Sequence, residues 1–324
     1  MHGHVTRSVR VLAVPLLAGV VAGVAPVTAA AARAGSAGPA GAFAVGGSLN
    51  GVAATSASNA WAVGDTSSGK TLILRWNGTA WNTVPSPGLA GSSLSGVAAT
   101  SASNAWAVGC TSCTSSSPKP LIVRWNGTAW TQVPSPAPAG SLSGVAATSA
   151  SNAWAVGFYT AGISVKTLIL RWNGTTWKQV PSPSPGAKGL ENLLFGVAAT
   201  SASSAWAAGF TSGGSAQALI LHWDGTKWAR MTSPAPGPGI STLLSGVAAS
   251  STRSALAVGL SESSTTEQGL ILRWDGTAWK QVPVPSPGTL STLSAVGTTS
   301  ASSAWAVGRF STTVVGQALA IHCC

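Results

Sequence analysis

Six near-copies of one sentence run through this chain, and all fifteen of its tryptophans lie inside them. Each copy reads close to LSGVAATSASNAWAVG, then a variable stretch, then LILRWNGTAWxQVPSP. The tryptophan of AWAVG marks the period. It falls at Trp61, Trp106, Trp154 and Trp206, is replaced by Leu256, and returns at Trp305, with spacings of 45, 48, 52, 50 and 49 residues. A unit of this length cannot bury its apolar faces alone, so neighbouring units must stack on one another.

Within a copy, four apolar runs alternate with turn residues. In the first copy they are Leu49–Thr55, Ala60–Gly64, Thr71–Trp76 and Ala80–Val84, each short and bounded by Ser, Asn, Gly or Pro, which is strand and turn chemistry. Asn77-Gly78 joins the last two as a tight hairpin. Four antiparallel strands per unit at this period predict an all-β fold, a six-bladed β-propeller of four-stranded antiparallel blades. The size gradient agrees: Gly-Val-Ala-Ala suits a crowded innermost strand, and the bulky indoles fall where blades splay apart. Alternation places Leu72, Leu74 and Trp76 on one face, with Trp81 a diagonal neighbour of Trp76 on the partner strand. The pair recurs as Trp125/Trp130, Trp172/Trp177, Trp223/Trp228 and Trp274/Trp279. Recurrence at one structural position assigns these pairs to blade packing rather than to a sugar-stacking platform.

The repeats run near 49–93, 94–141, 142–193, 194–243, 244–292 and 293–324. The sixth stops at Ala318-Leu319-Ala320-Ile321-His322-Cys323-Cys324 and lacks a fourth strand, with Cys323 where the other copies have Trp. Residues 42–45, Ala-Phe-Ala-Val, are expected to supply that strand and close the ring, Phe43 standing in for Trp81. Residues 1–34 read as an export signal: Arg7 and Arg10, an apolar run from Val11 to Val27, and small residues from Ala29 to Ala34. The remaining 35–324 then form one secreted domain, a monomer with no membrane span. The 17 basic residues less Arg7, Arg10 and Arg33 leave 14 against 6 acidic ones, a net charge of +8. They are scattered without runs, which reads as a solvated surface; nucleic acid is not an expected partner, and a polyanion-binding surface is the third-placed functional reading.

The run AWAVG followed by LILRW-[Asn/Asp]-G-T-x-W resembles the hairpin of Asp-box (BNR) repeats. It also looks like the repeats of photosystem II assembly-factor propellers, and the chain as a whole is similar to secreted actinobacterial repeat proteins. The resemblance implies a propeller over residues 42–324. Only Asp224 and Asp275 carry the acid at the turn, Asn77, Asn126 and Asn173 replacing it elsewhere. Sialidases bearing such boxes resemble one another in an arginine cluster, a Tyr nucleophile and paired acids. This chain has one tyrosine, Tyr159, and six acids, of which two belong to turns. A facing carboxylate pair of the kind glycoside hydrolysis uses is not legible in their order.

Other chemistry is equally sparse. His222 and His322 occupy the place held by Arg75, Arg124, Arg171 and Arg273, a structural exchange beside an indole. No Gly-x-Ser-x-Gly, His-Glu-x-x-His or phosphate loop occurs, so no catalytic residue, metal or cofactor is assigned. Cys110 and Cys113, with two residues between them in an exported chain, are expected to form a loop disulfide.

Loop length divides the two faces. The one-to-two and three-to-four turns are uniform, while the two-to-three and four-to-one connections vary and emerge on the opposite side. Variable loops on a rigid scaffold are where recognition concentrates. The candidate binding residues on that face are Asp65, Lys119, Phe158, Tyr159, Lys166, Phe210, Glu262, Glu267, Arg309 and Phe310. The reading is a non-catalytic propeller that binds a glycan or a protein there. The alternative is a carbohydrate-active enzyme, a glycosidase or lyase, on the same scaffold.

Overall fold

Short apolar runs punctuated by Ser, Asn and Gly fold each copy into an antiparallel meander. The computed structural model describes residues 45–323 apart from 89, 235–236, 286–287, 289 and 313–315, and all regular structure among them is β. In unit 1 the strands are Gly47–Ser56, Asn59–Thr66, Thr71–Trp76 and Trp81–Thr83, paired in chain order. Units 2 to 5 repeat this sheet, and the sixth has three strands, Leu290–Ser300, Ser303–Ser311 and Gly316–Cys323. A single parallel pairing, Glu267 with Leu290, joins the fifth and sixth sheets into one of seven strands. Of the expected closing strand, 42–44 lie outside the described residues, and Val45 belongs to no strand.

The hairpin between strands three and four is longer than Asn-Gly alone predicts. The Asn77 amide donates to the Ala80 carbonyl, closing a four-residue loop, while Asn77 Oδ1 accepts from the N–H groups of Thr79 and Ala80 and from the Thr79 hydroxyl. Trp76 and Trp81 are therefore directly opposed rather than diagonal, their rings 5.7 Å apart. Asp224 makes the same set of bonds, which hold its carboxyl at about 2, the Thr226 hydroxyl contributing most.

The second-strand tryptophan packs against the next unit rather than its own. Trp61 meets Trp125 at 4.9 Å and Trp130 at 5.1 Å, and Trp106, Trp154 and Trp206 meet their successors' pairs at 4.8–5.2 Å. One ring of each pair lies tilted and the other edge-on, the favoured arrangements for aromatic quadrupoles. The third-strand cation caps the knot: the Arg171 guanidinium lies 4.9 Å from Trp154 and 5.3 Å from Trp223. In unit 4 His222 takes this place, 4.1 Å from Trp206, and burial lowers its pKa against a smaller upward pull from Asp224.

The first strands are innermost, and their small residues are required there. A Cβ on Gly144 would come within 2.6 Å of the Phe195 carbonyl oxygen of the next unit, and one on Gly196 within 2.8 Å of the Val247 nitrogen. At these two seams backbone meets backbone with no room for a side chain between them.

Candidate functional site

One position of each innermost strand escapes the ladder. Leu49 pairs with Gly64 and Gly51 with Val63, leaving Asn50 unpaired in a β-bulge. The same register shift isolates Ser95, Ser143, Phe195, Ser245 and Ser294 in units 2 to 6. A bulge re-aims the side chain it frees. All six of these residues line one central cavity of about 1020 Å3, on the side of the strand nearer the variable loops. Around it, Val52, Val97 and their equivalents supply an apolar wall.

Serine fills this bulge in four units, and the two exceptions are buttressed by residues singled out from the sequence. Asn50 Nδ2 donates to Asp65 Oδ1 at 3.2 Å and to the Leu94 carbonyl at 2.9 Å. Asp65 Oδ1 also accepts from the Ser93 hydroxyl at 2.8 Å, which latches unit 1 to unit 2. Phe195 stacks on Phe210 at 5.9 Å with 29° between planes. Phe210 is only 3% exposed, so it supports Phe195 and presents no face of its own to a ligand.

The remaining candidates stay on the rim. Tyr159 is half-buried against the unit 2–3 core and pairs across its hairpin with exposed Lys166, beside half-buried Phe158. Exposed Lys119 opens the third strand of unit 2, opposite Thr111. Glu262 and Glu267 are direct cross-strand partners in unit 5, a pairing the linear sequence does not reveal. Arg309 and Phe310 follow on the second strand of unit 6. None of these residues lines the central cavity.

Glu267 is pushed above the usual carboxyl range by burial and then by the Glu262 charge, with Arg309 opposing. A raised acid favours folding below its unfolded value and loses that advantage as pH climbs through its folded value. Glu267→Gln is therefore expected to raise the thermal midpoint at pH 7 and to leave it unchanged near pH 4. The gain should be below about 1 kcal/mol because the group is partly exposed. Melts at the two pH values measure it.

The sequence reading missed the bulge ring. Its signal was present: in the copies of LSGVAAT, the second letter is Asn50 in one and Phe195 in another. A second cleft of about 560 Å3 opens on the uniform face near Arg171, Trp172 and Lys178, but Arg171 already donates to the Ala202 carbonyl at 3.0 Å. Cys110 and Cys113 are disulfide-bonded, their Cα atoms 5.4 Å apart. Among the described residues no group of three or more His, Cys, Asp or Glu could hold a metal, and no helix is long and apolar enough to cross a membrane.

Solved structures share this architecture. Over 85% of this chain and 95% of the other, a Dyadobacter fermentans protein of unknown function superposes with a TM-score of 0.54 at 12% identity. YCF48 from Cyanidioschyzon merolae gives 0.51 at 16% identity over 82% and 81%. The fucose-specific lectin from Aleuria aurantia gives 0.51 at 13% over 84% and 94%. With six antiparallel units repeated about a central cavity, the last two joined in one sheet, these likenesses define the chain as a β-propeller. No protein-family model and no curated sequence matches it.

Proposed function

We propose that this chain is a secreted, non-catalytic propeller that binds a glycan in the mouth of its central cavity, approached from the variable-loop face. The observation that carries this reading is the ring of bulge residues. Four serine hydroxyls and the side-chain carbonyl oxygen of Asn50 offer hydrogen bonds, and Phe195 offers the only aromatic ring at the bulge position. A sugar presents matching chemistry, hydroxyls at its edge and an apolar C–H face. Export through the 1–34 signal puts the site where extracellular glycans are met. The paired acids Glu262 and Glu267 sit side by side on one hairpin, outside the cavity, which favours binding over hydrolysis.

Phe195→Ser tests the proposal with little risk to the fold, because serine is the residue four other units place at this bulge. On a glycan array followed by calorimetry, the variant is expected to lose at least about tenfold in affinity, the loss of one central aromatic anchor. Unchanged affinity for every bound glycan would remove the cavity from the site.

A further inference from the structure

The 14 basic residues that stand scattered along the sequence are gathered by the fold. The third-strand arginines of units 1, 2, 3 and 5 are next to last in their strands, at the uniform face, and Lys178, Lys227, Arg230, Arg253 and Lys280 sit in its turns or on the short fourth strands that rise from it. These nine are accompanied by two acids, Asp224 and Asp275, whereas the variable face has five basic residues and four acids. The uniform face therefore carries +7 of the net charge of +8, a field that draws polyanions toward it.

One place on this face is shaped as well as charged. In unit 3, Arg171 and Lys178 are direct cross-strand partners. Like charges so placed destabilise a sheet unless something offsets them. In unit 5 the same pairing, Arg273 with Lys280, has Asp275 as its offset, 2.7 Å from the Lys280 ammonium. Unit 3 has Asn173 in place of that acid, and Lys178 has no ion-pair partner among the described residues. Units 1, 2 and 4 avoid the conflict with Asn82, Thr131 and Ala229 opposite the third-strand base. The uncompensated pair lines the cleft of about 560 Å3 together with Ser149, Ser151, Asn152, Asn173 and Gln179, and no acid lines it. Trp154 and Trp223 hold the Arg171 guanidinium in place. Its bonds to the Ala202 carbonyl and to Asn152 Oδ1 both use Nη2, so Nε and Nη1 keep their donors for a ligand.

We propose that the uniform face is a second binding surface, and that its unit 3 cleft seats the carboxylate or sulfate of an acidic polysaccharide between Arg171 and Lys178. The occupant follows from the lining. Two cations meet the acid group, and the serine, asparagine and glutamine side chains match the hydroxyls of the sugar that bears it. A nucleic-acid strand would need an exposed ring on which to stack a base, and Trp172, the aromatic residue of the cleft, is only 4% exposed. A bilayer would need apolar side chains to insert, and none of the large exposed hydrophobics among the described residues lines the cleft. The bulge ring lies on the side nearer the other face, so this surface stands whether or not a glycan enters the central cavity.

Calorimetry of the full chain with polygalacturonate and with heparin at low salt tests this, beside Lys178→Thr, Lys166→Thr and Phe195→Ser. Threonine is what unit 2 places opposite its arginine, so the first change suits the fold, and Lys166→Thr removes the same charge from the variable face. The proposal expects at least one of the two polymers to bind, and to bind less tightly as salt is added. It expects a several-fold loss of affinity in Lys178→Thr and none in Lys166→Thr or Phe195→Ser. No binding of either polymer, or undiminished binding by Lys178→Thr, would overturn it. Equal losses in the two lysine variants would assign the attraction to net charge alone, and a loss in Phe195→Ser would move the polymer to the central cavity; both outcomes reject the cleft. Binding to oligothymidylate or to phosphatidylglycerol vesicles as tight as to the polysaccharides would give the face to a nucleic acid or a membrane, and would reject the proposal as well.

Discussion

Replacing Trp154 by alanine is expected to lower the unfolding free energy by about 3–5 kcal/mol, the range for truncating a fully buried indole. Trp154 has no solvent exposure and touches Trp223 at 5.0 Å and Trp228 at 5.1 Å across the unit 3–4 boundary. Removing it takes away both ring contacts and one of the two faces on which the Arg171 guanidinium lies. The surrounding strands cannot collapse into the space, because their backbone register is fixed on both sides. Denaturant titration followed by circular dichroism measures the change.

Gly157→Ala is expected to cost about 1–3 kcal/mol, although it adds a single methyl group. Gly157 pairs with Leu142 at the bulge of unit 3. A Cβ there would overlap the Ser141 carbonyl oxygen and lie 2.9 Å from Leu142 Cα, so backbone rather than a side chain would have to move. The same overlap awaits Gly64, Gly109, Gly209, Gly259 and Gly308, which explains why the AVG or AAG run ends in glycine in every copy. Gly214, with nothing within 4 Å, is the control, and Gly214→Ala should leave the melting midpoint where it was. Moving the bulge would also re-aim Ser143, so Gly157→Ala should disturb the cavity as well as the fold.

Most of the scaffold could be read from the chain because the repeat supplies its own alignment. Period, strand count, turn positions and the small innermost strand all follow from residues seen five or six times. Two local errors have physical causes. Asn-Gly was given a two-residue turn, but the Asn side chain accepts three hydrogen bonds and draws Thr79 and Ala80 into the loop, which puts Trp76 opposite Trp81. The partner of Trp61 was not legible at all, since contact between units depends on how sheets stack rather than on alternation within one strand.

The site was half legible. Departures from the repeat mark it twice, on the loop side at Asp65 and Phe210 and inside the first strand at the second letter of LSGVAAT. Bulging turns that letter toward the cavity, and periodicity of two cannot reveal a residue that has left the ladder. Asp65 and Phe210 were noticed for their loop position, and they hold Asn50 and Phe195, the residues that face the cavity.

In the function proposed above, constant residues of the repeat hold the ring and departures from it recognise a ligand. Unfolding and glycan affinity measured together on Trp154→Ala and Phe195→Ser test that division most directly. It predicts that Trp154→Ala loses stability while its folded population binds normally, and that Phe195→Ser melts like the parent and binds at least about tenfold less well. A Phe195→Ser protein that unfolds early with binding intact, or a folded Trp154→Ala protein that no longer binds, would contradict it.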